Sequence, residues 1–328
     1  MKELVLTAIG GPENFKLREA APRAPGPHEI RVRNAAIGVN FIDIYQRTGL
    51  YPVSVPTVLG QEAAGVVTAA GEGAPFKPGD RVAYMGAATY AEETVTDAGR
   101  AALLPDGVSD DAAAASFLKG LTAEMLLRQV YPVRAGQTAL VTAAAGGVGL
   151  LLCRWAVHLG VRVIAVVGGA DKVGAVKALG VGDVIDRSQT PDIAGAVRTL
   201  TNGRGADVAY DSVGKATFEA CLDSLALRGM MVSYGNASGP VPPLAPLDLT
   251  RRGSLTLARP SLFHYATPDR LPAMAAALFD LLASGAIKPT IAATFPLAKG
   301  ADAHRLLEAG KTIGAIILIF LLRLIKRA

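Results

Sequence analysis

Cysteine is nearly missing from this 328-residue chain: there are two, Cys153 and Cys221, both in stretches that read as helical. A disulfide-stapled scaffold is excluded, and an intracellular protein is expected, in the cytoplasm. The opening residues, Met1 to Leu6, lack the apolar core of a signal peptide. The apolar run Ala315–Leu322 near the C-terminus is too short to span a bilayer, which takes ~20 residues. It reads as a buried strand over Ile316–Ile319 followed by a loose apolar tail, with a surface anchor as the alternative. No block of five or six like charges occurs. Lys and Arg are scattered, so nucleic-acid binding is not expected, although a net charge of +5 suits an anionic ligand or simply a basic surface. Histidine is scarce as well. His28, His158, His264 and His304 are far apart in sequence. Cys153 and His158 would diverge by roughly 140° on one helix at ~3.6 residues per turn.

What the chain does contain is glycine and proline, 36 and 20 residues, within a composition 51 % hydrophobic. This is the balance of an ordered, turn-rich globular protein, long enough for two domains. Its organising stretch is Ala139–Gly149, running into Leu150–Trp155. A short apolar run, a turn of small residues and a helix-periodic segment read as strand, tight turn and helix. The turn is a Gly-x-Gly-x-x-Gly dinucleotide fingerprint with Ala144 at the first glycine position. Gly146 permits close approach of a pyrophosphate and Gly149 close packing of helix on strand. The helix N-terminus supplies N–H groups and a positive dipole end.

Before this stretch the chain reads as short strands joined by Gly/Pro turns, among them Glu29–Arg33, Glu62–Val67 and Arg81–Ala83, which suggests a partly open barrel. Two helices are expected after it, over Ser109–Phe117 and Leu121–Gln129. From Thr138 strands and helices alternate. Strands are expected at Ala139–Thr142, Arg162–Val167, Val184–Asp186, Asp207–Asp211, Met230–Tyr234 and Ser254–Ala258. Six such strands predict a doubly wound parallel sheet carrying a cofactor across the strand C-termini, and each strand ends in small or polar residues. After Pro268 come too few elements for a domain of their own. They are expected to complete the barrel, giving one domain from 1–121 and 265–328 and another from 122–264.

Taken together, the series Gly38–Tyr45, Gly49–Pro52, Leu59–Gly65, Ser116–Thr122, Ala143–Gly149, Tyr210–Gly214, Tyr234–Gly239 and Arg259–Leu262 resembles the medium-chain dehydrogenase/reductase superfamily. More narrowly, it resembles the zinc-free, zeta-crystallin-like quinone oxidoreductases. The resemblance implies an α/β protein with a GroES-like catalytic domain, a Rossmann domain and a homodimer. In zinc-dependent relatives a Cys stands at the position of Asn40 and a His at that of Gln61. Amides are poor zinc ligands, so no metal is expected. A quinone, being electron-poor, needs less polarisation than a ketone, so the protein's task is alignment of acceptor and nicotinamide with water excluded.

By the same resemblance Asn40, Asp43 and Tyr45 line the cofactor end of the cleft. Tyr45, Arg47 and Tyr51 are the catalytic candidates, Tyr51 donating a proton or stacking and Arg47 steadying an oxyanion. Thr122 approaches the nicotinamide-side phosphate, and Gly146, Gly147 and Val148 present N–H groups to the pyrophosphate. Tyr234, Gly235, Asn236 and Ala237, with Arg259 and Ser261, follow the nicotinamide half. Gly168 stands where an NAD-specific fold carries a ribose-binding carboxylate, and Lys172 with Arg187 suits a 2′-phosphate, so the expected cofactor is NADPH. The bland alternatives are barrel packing for Tyr45 and Tyr51, an i,i+4 pair for Asp43 and Arg47, a helix cap for Thr122, a turn for Gly235–Asn236 and a solvated lysine at 172. Two functional alternatives stand beside NADPH:quinone reduction: reduction of activated C=C bonds in enones or enals, and a non-catalytic NADPH- or RNA-binding role.

Overall fold

A computed structural model describes residues 1–320. The chain folds as two compact units, Thr122–Tyr265 being inserted between Met1–Leu121 and the segment that starts at Ala266.

The first unit opens with β1 (Lys2–Leu6), β2 (Phe15–Glu19), β3 (Glu29–Val39), α1 (Phe41–Thr48), β4 (Thr57–Val58), β5 (Glu62–Ala70), β6 (Arg81–Met85), β7 (Glu93–Asp97) and β8 (Ala101–Leu103). The alternation read over Glu29–Arg33 belongs to a strand that runs on to Val39. Register shifts at Arg31/Val32 and Asn34/Ala36 bend it, as β-bulges do. One edge of β3 pairs with β5 along its length, while β7 covers Glu29–Arg33 on the other edge. Two consecutive helices were expected before residue 130. One forms instead, α2 (Asp110–Met125), continued by a π-turn over Leu126–Val130. The Ser109 hydroxyl caps it at Ala112 N–H, 3.2 Å. Gly120 does not break the helix, because it serves packing: a Cβ there would stand 2.8 Å from Leu278 Cδ2.

The inserted unit contributes β9 (Thr138–Val141), α3 (Gly147–His158), β10 (Arg162–Val167), α4 (Val173–Lys177), β11 (Asp183–Asp186), α5 (Ile193–Leu200), β12 (Ala206–Asp211), α6 (Phe218–Asp223), β13 (Leu225–Ser233), α7 (Pro246–Arg251), β14 (Thr256–Ala258) and α8 (Leu262–Tyr265). Its six strands are all parallel, in the order β11-β10-β9-β12-β13-β14. That is the doubly wound arrangement, with the order reversing between β9 and β12. Leu140, Ile164, Val166, Ala209 and Met231 fill the core on one face against Phe218, Cys221 and Leu222 of α6.

The chain then returns to the first unit with α9 (Leu271–Ala283), β15 (Ile291–Pro296), α10 (Gly300–Glu308) and β16 (Ala315–Ile319). β16 pairs antiparallel with Ala36–Val39 of β3, taking over the edge where β7 leaves off. The seven-stranded sheet so formed wraps a core of Leu6, Ile30, Val32, Ile37, Val67, Tyr84, Tyr90, Ile316 and Leu318. Ile316–Ile319 is thus the buried strand expected. The tail expected beyond it lies outside the described residues from residue 321 on. Among the described residues, no helix is long and apolar enough to cross a membrane.

Candidate active site

Parallel pairing puts every strand C-terminus of the inserted unit at one edge of its sheet, and most candidate cofactor residues follow those ends. After β9 the chain turns through Ala143 at φ 46° and reaches the N-cap Gly146. The first bond inside α3 runs from Leu150 N–H to Gly146 O, 3.0 Å, so the N–H groups of Gly147, Val148 and Gly149 lead the helix without intrahelical acceptors. These groups and the dipole end fit a pyrophosphate. A Cβ at Gly149 would overlap the Ala143 carbonyl and stand 2.8 Å from Ala144 Cα, so only glycine lets the helix seat on its turn.

After β10 comes Gly168, exposed and carrying no carboxylate. A Cβ there would stand 3.8 Å from Arg187 Nε, so the Arg187 guanidinium from the end of β11 reaches over it. Lys172, half-buried, closes the short 3-10 turn Ala170–Lys172 on the same loop. The set suits an extra phosphate on a ribose. Asp171 on this loop is exposed and folded back toward Gly169.

The loops after β12 and β13 are locked backbone to backbone. Ala237 N–H and Ser238 N–H donate to Ser212 O and Val213 O at 3.1 and 2.8 Å, and a Cβ at Gly235 would come 2.9 Å from Ser212 Cα. Gly235 therefore does more than make a turn. Asp211, fully buried, holds this arrangement, accepting from the hydroxyls of Thr142 and Thr217, both at 2.6 Å, and from Gly214 N–H at 3.0 Å. Arg259, just past β14, donates from Nη1 to Ser233 O, 2.8 Å, and from Nη2 to the Asn236 amide oxygen, 2.9 Å. Tyr234, Ala237 and Ser261 lie on the same loops. Thr122 sits inside α2, so a helix-cap role for it does not apply.

In the first unit the candidates centre on α1. Asn40 is its N-cap, Asp43 Oδ2 accepts from Asn40 N–H at 2.8 Å, and Gly49 ends the helix at φ 82°. Tyr45 packs edge-on against Tyr51, ring centroids 5.2 Å apart, and tilted against Phe41 at 6.1 Å. Tyr51 is half-buried and Tyr45 buried. Asn40 Nδ2 donates to Glu62 Oε1 at 3.0 Å, and Gln61 Nε2 donates to Gln46 Oε1 at 3.3 Å. Glu62 is completely buried. It is neutralised by the buried ammonium of Lys119 and accepts Leu118 N–H at 2.8 Å.

Two expectations are corrected here. Arg47 is 1 % exposed, and its guanidinium is bonded to Gly10 O, His304 Nδ1 and Glu308, so it has no free face for an acceptor's oxyanion. Its ion pair is with Glu308 and not with Asp43, four residues away. Asp43, fully buried, touches Asn40 N–H and the Tyr90 hydroxyl, 2.8 Å each, instead of facing outward to a cofactor. Burial pushes the Asp43 carboxyl up to about 7, against the two hydrogen bonds and the Lys119 charge that favour its ionised form. Burial and the Arg47 charge push His304 down to about 3.

The family description "Zinc-binding dehydrogenase" matches residues 147–283, and "Alcohol dehydrogenase GroES-like domain" matches residues 26–129. A quinone oxidoreductase of Pseudomonas aeruginosa is 47 % identical over 325 residues, 97 % of this chain and 99 % of that protein. The structure of Escherichia coli quinone oxidoreductase complexed with NADPH superposes with a TM-score of 0.95 at 42 % identity, over 97 % of this chain and all of that one. The chain belongs to the quinone oxidoreductase family. A 2-haloacrylate reductase of Burkholderia is also similar, 41 % identical over 96 % of this chain and 99 % of that protein.

The zinc in the first family description has no ready donors among the described residues of this quinone oxidoreductase family member. Among the described residues no group of three or more His, Cys, Asp or Glu side chains is placed to hold a metal ion. Asn40 and Gln61 spend their amide donors on carbonyl and carboxylate oxygens, and of the two buried carboxylates beside Asn40, Glu62 is already paired with Lys119 and Asp43 is bonded to Asn40 N–H and the Tyr90 hydroxyl. Sequence reasoning passed over Glu62, Lys119, Tyr90, Asp211 and His304. For the first two a signal existed: a lone charge inside each of the apolar runs Leu59–Gly65 and Ser116–Thr122. A charge set among apolar neighbours goes into the core only with a partner.

Proposed function

We propose that the protein is an NADPH-dependent quinone reductase that works without a metal. The observation that carries this reading is the end-to-end match, at 44–47 % identity, to quinone oxidoreductases of three bacteria. When bound, NADPH supplies the reducing equivalents. Gly147 and Val148 N–H groups hold the pyrophosphate, and Lys172 with Arg187 takes the 2′-phosphate over Gly168. The loops locked by Asp211 and Arg259 present Tyr234–Ala237 and Ser261 along the nicotinamide half. Thr122 approaches the nicotinamide-side phosphate. Asn40 and Tyr45 line the reacting end, and Tyr51, braced on Tyr45, donates a proton to the reduced acceptor. The protein is further proposed to act in the cytoplasm, where its two buried thiols stay reduced, and as a homodimer.

NADPH oxidation against a panel of benzoquinones, naphthoquinones, enals and 2-haloacrylate tests the reading, with NADH in parallel. Quinone turnover in NADPH is expected. Turnover confined to the C=C substrates would replace it with the second reading, which the 2-haloacrylate reductase relative favours.

A further inference from the structure

The hydrogen bonds under α1 form a chain with a direction. Arg47 is always protonated, so its Nε–H, 3.3 Å from His304 Nδ1, makes that nitrogen an acceptor. The imidazole is wholly buried, packed edge-on against Phe15 at 4.9 Å, and neutral, so its single proton resides on Nε2. Nε2–H then donates to the Tyr90 hydroxyl oxygen at 3.0 Å, which turns the Tyr90 O–H toward Asp43 Oδ2 at 2.8 Å. The same Oδ2 accepts Asn40 N–H, while Asp43 Oδ1 is buried and has no hydrogen-bond partner among the described residues. The chain thus ends at one oxygen of one carboxyl, and that carboxyl holds the N-terminus of the helix bearing Asn40 and Tyr45.

We propose that Asp43 is a positioning residue for the reaction, kept in its working ionised form by the directed chain Arg47–His304–Tyr90. The proposal rests on the quinone reductase reading for the reaction, but not for the chain itself. As a carboxylate, Asp43 binds Asn40 N–H with a charge-assisted bond. Once protonated it loses that strength and gains an O–H with nothing to receive it. The groups facing it are Tyr90 and Asn40 N–H directly, with the Lys119 and Glu62 charges acting from α2 and β5 and His304 and Arg47 acting through Tyr90. Lys119 favours ionisation and Glu62 opposes it. Activity should therefore fall as pH drops through about 7.

Two measurements on the full-length protein test this. One is the pH titration of the Asp43 carboxyl carbon by NMR, assigned with Asp43→Asn. The other is the pH profile of kcat/KM for a quinone. In the wild type both inflections are expected near pH 7. Tyr90→Phe deletes one hydroxyl and should move both upward by about one pH unit. His304→Leu should shift them the same way, while His304→Gln, which keeps a donor near the Nε2 position, should restore them. Asp43→Asn should leave kcat/KM without the inflection. A carboxyl that titrates near 4, an inflection unmoved in Tyr90→Phe, or kinetics that ignore a moving carboxyl would each overturn the proposal. The carbon titration needs no turnover, so absence of quinone reduction with the expected titration counts against the proposed function alone.

Discussion

Asp43 and His304 are displaced from their ordinary ionisation ranges in opposite directions, and their effects on stability should cancel in the wild type and separate in single variants. In the unfolded chain Asp43 ionises near 3.8 and in the folded one near 7. Between those values the folded state holds one proton more, so Asp43 makes stability fall as pH rises. His304 titrates near 6.5 unfolded and near 3 folded. There the unfolded state holds one proton more, and stability rises with pH. Each slope amounts to about 1.4 kcal/mol per pH unit. From about pH 4 to 6.5 the two oppose each other, and their sum contributes no slope. Asp43→Asn leaves His304 uncompensated, so stability should climb by about 3 kcal/mol across pH 4.5–6.5 relative to the wild-type trend. His304→Gln leaves Asp43 uncompensated, and stability should drop by about the same amount. Urea unfolding followed by circular dichroism at pH 4.5, 5.5 and 6.5 measures both. Parallel pH trends in the two variants would refute the reasoning, because no common destabilisation can yield slopes of opposite sign.

Lys172→Ala should weaken NADPH binding by about ten- to a hundredfold while NADH affinity hardly moves, measured by fluorescence titration with each cofactor. Equal losses for both would remove the 2′-phosphate assignment. Gly149→Ala sets a methyl into the Ala143 carbonyl and should cost about 1–3 kcal/mol of stability as well as NADPH affinity. Lys119→Met strands the Glu62 carboxylate in the interior and should destabilise by about 3–5 kcal/mol, read from urea midpoints; a neutral effect would show that Glu62 is not held charged. Prolonged chelation should leave quinone turnover unchanged, whereas loss restored by zinc would contradict the metal-free reading.

The inserted unit was legible because its information is local. Each strand is a short apolar run, each crossover is short, and the glycine turn carries its chemistry in consecutive residues. The first unit was legible only in outline. The bend of β3 at Asn34 and its hand-over from β7 to β16 depend on pairing with a strand almost three hundred residues downstream, which periodicity does not encode. The two helices expected over Ser109–Phe117 and Leu121–Gln129 are one, and the glycine between them, Gly120, is there for Leu278. Arg47 looked like a partner for Asp43 because i,i+4 spacing is the nearest explanation in sequence, yet its side-chain partners are 257 and 261 residues away. The residues missed share one property: their reason for being there is a contact that only the folded chain makes.

The two cysteines take on a different meaning once the acceptor is a quinone. Quinones add thiolates to the ring, so an enzyme that handles them is exposed to arylation by its own substrate. Cys153 and Cys221 are both completely buried, and burial pushes the Cys153 thiol up to about 12 and Cys221 well above its ordinary range. Thiolate is the attacking form, and at neutral pH neither residue supplies it or can be reached. In the proposed quinone reductase the folded protein therefore offers the acceptor no cysteine sulfur to arylate. Unfolding removes that protection, so quinone in excess should label the protein only at the rate at which it opens.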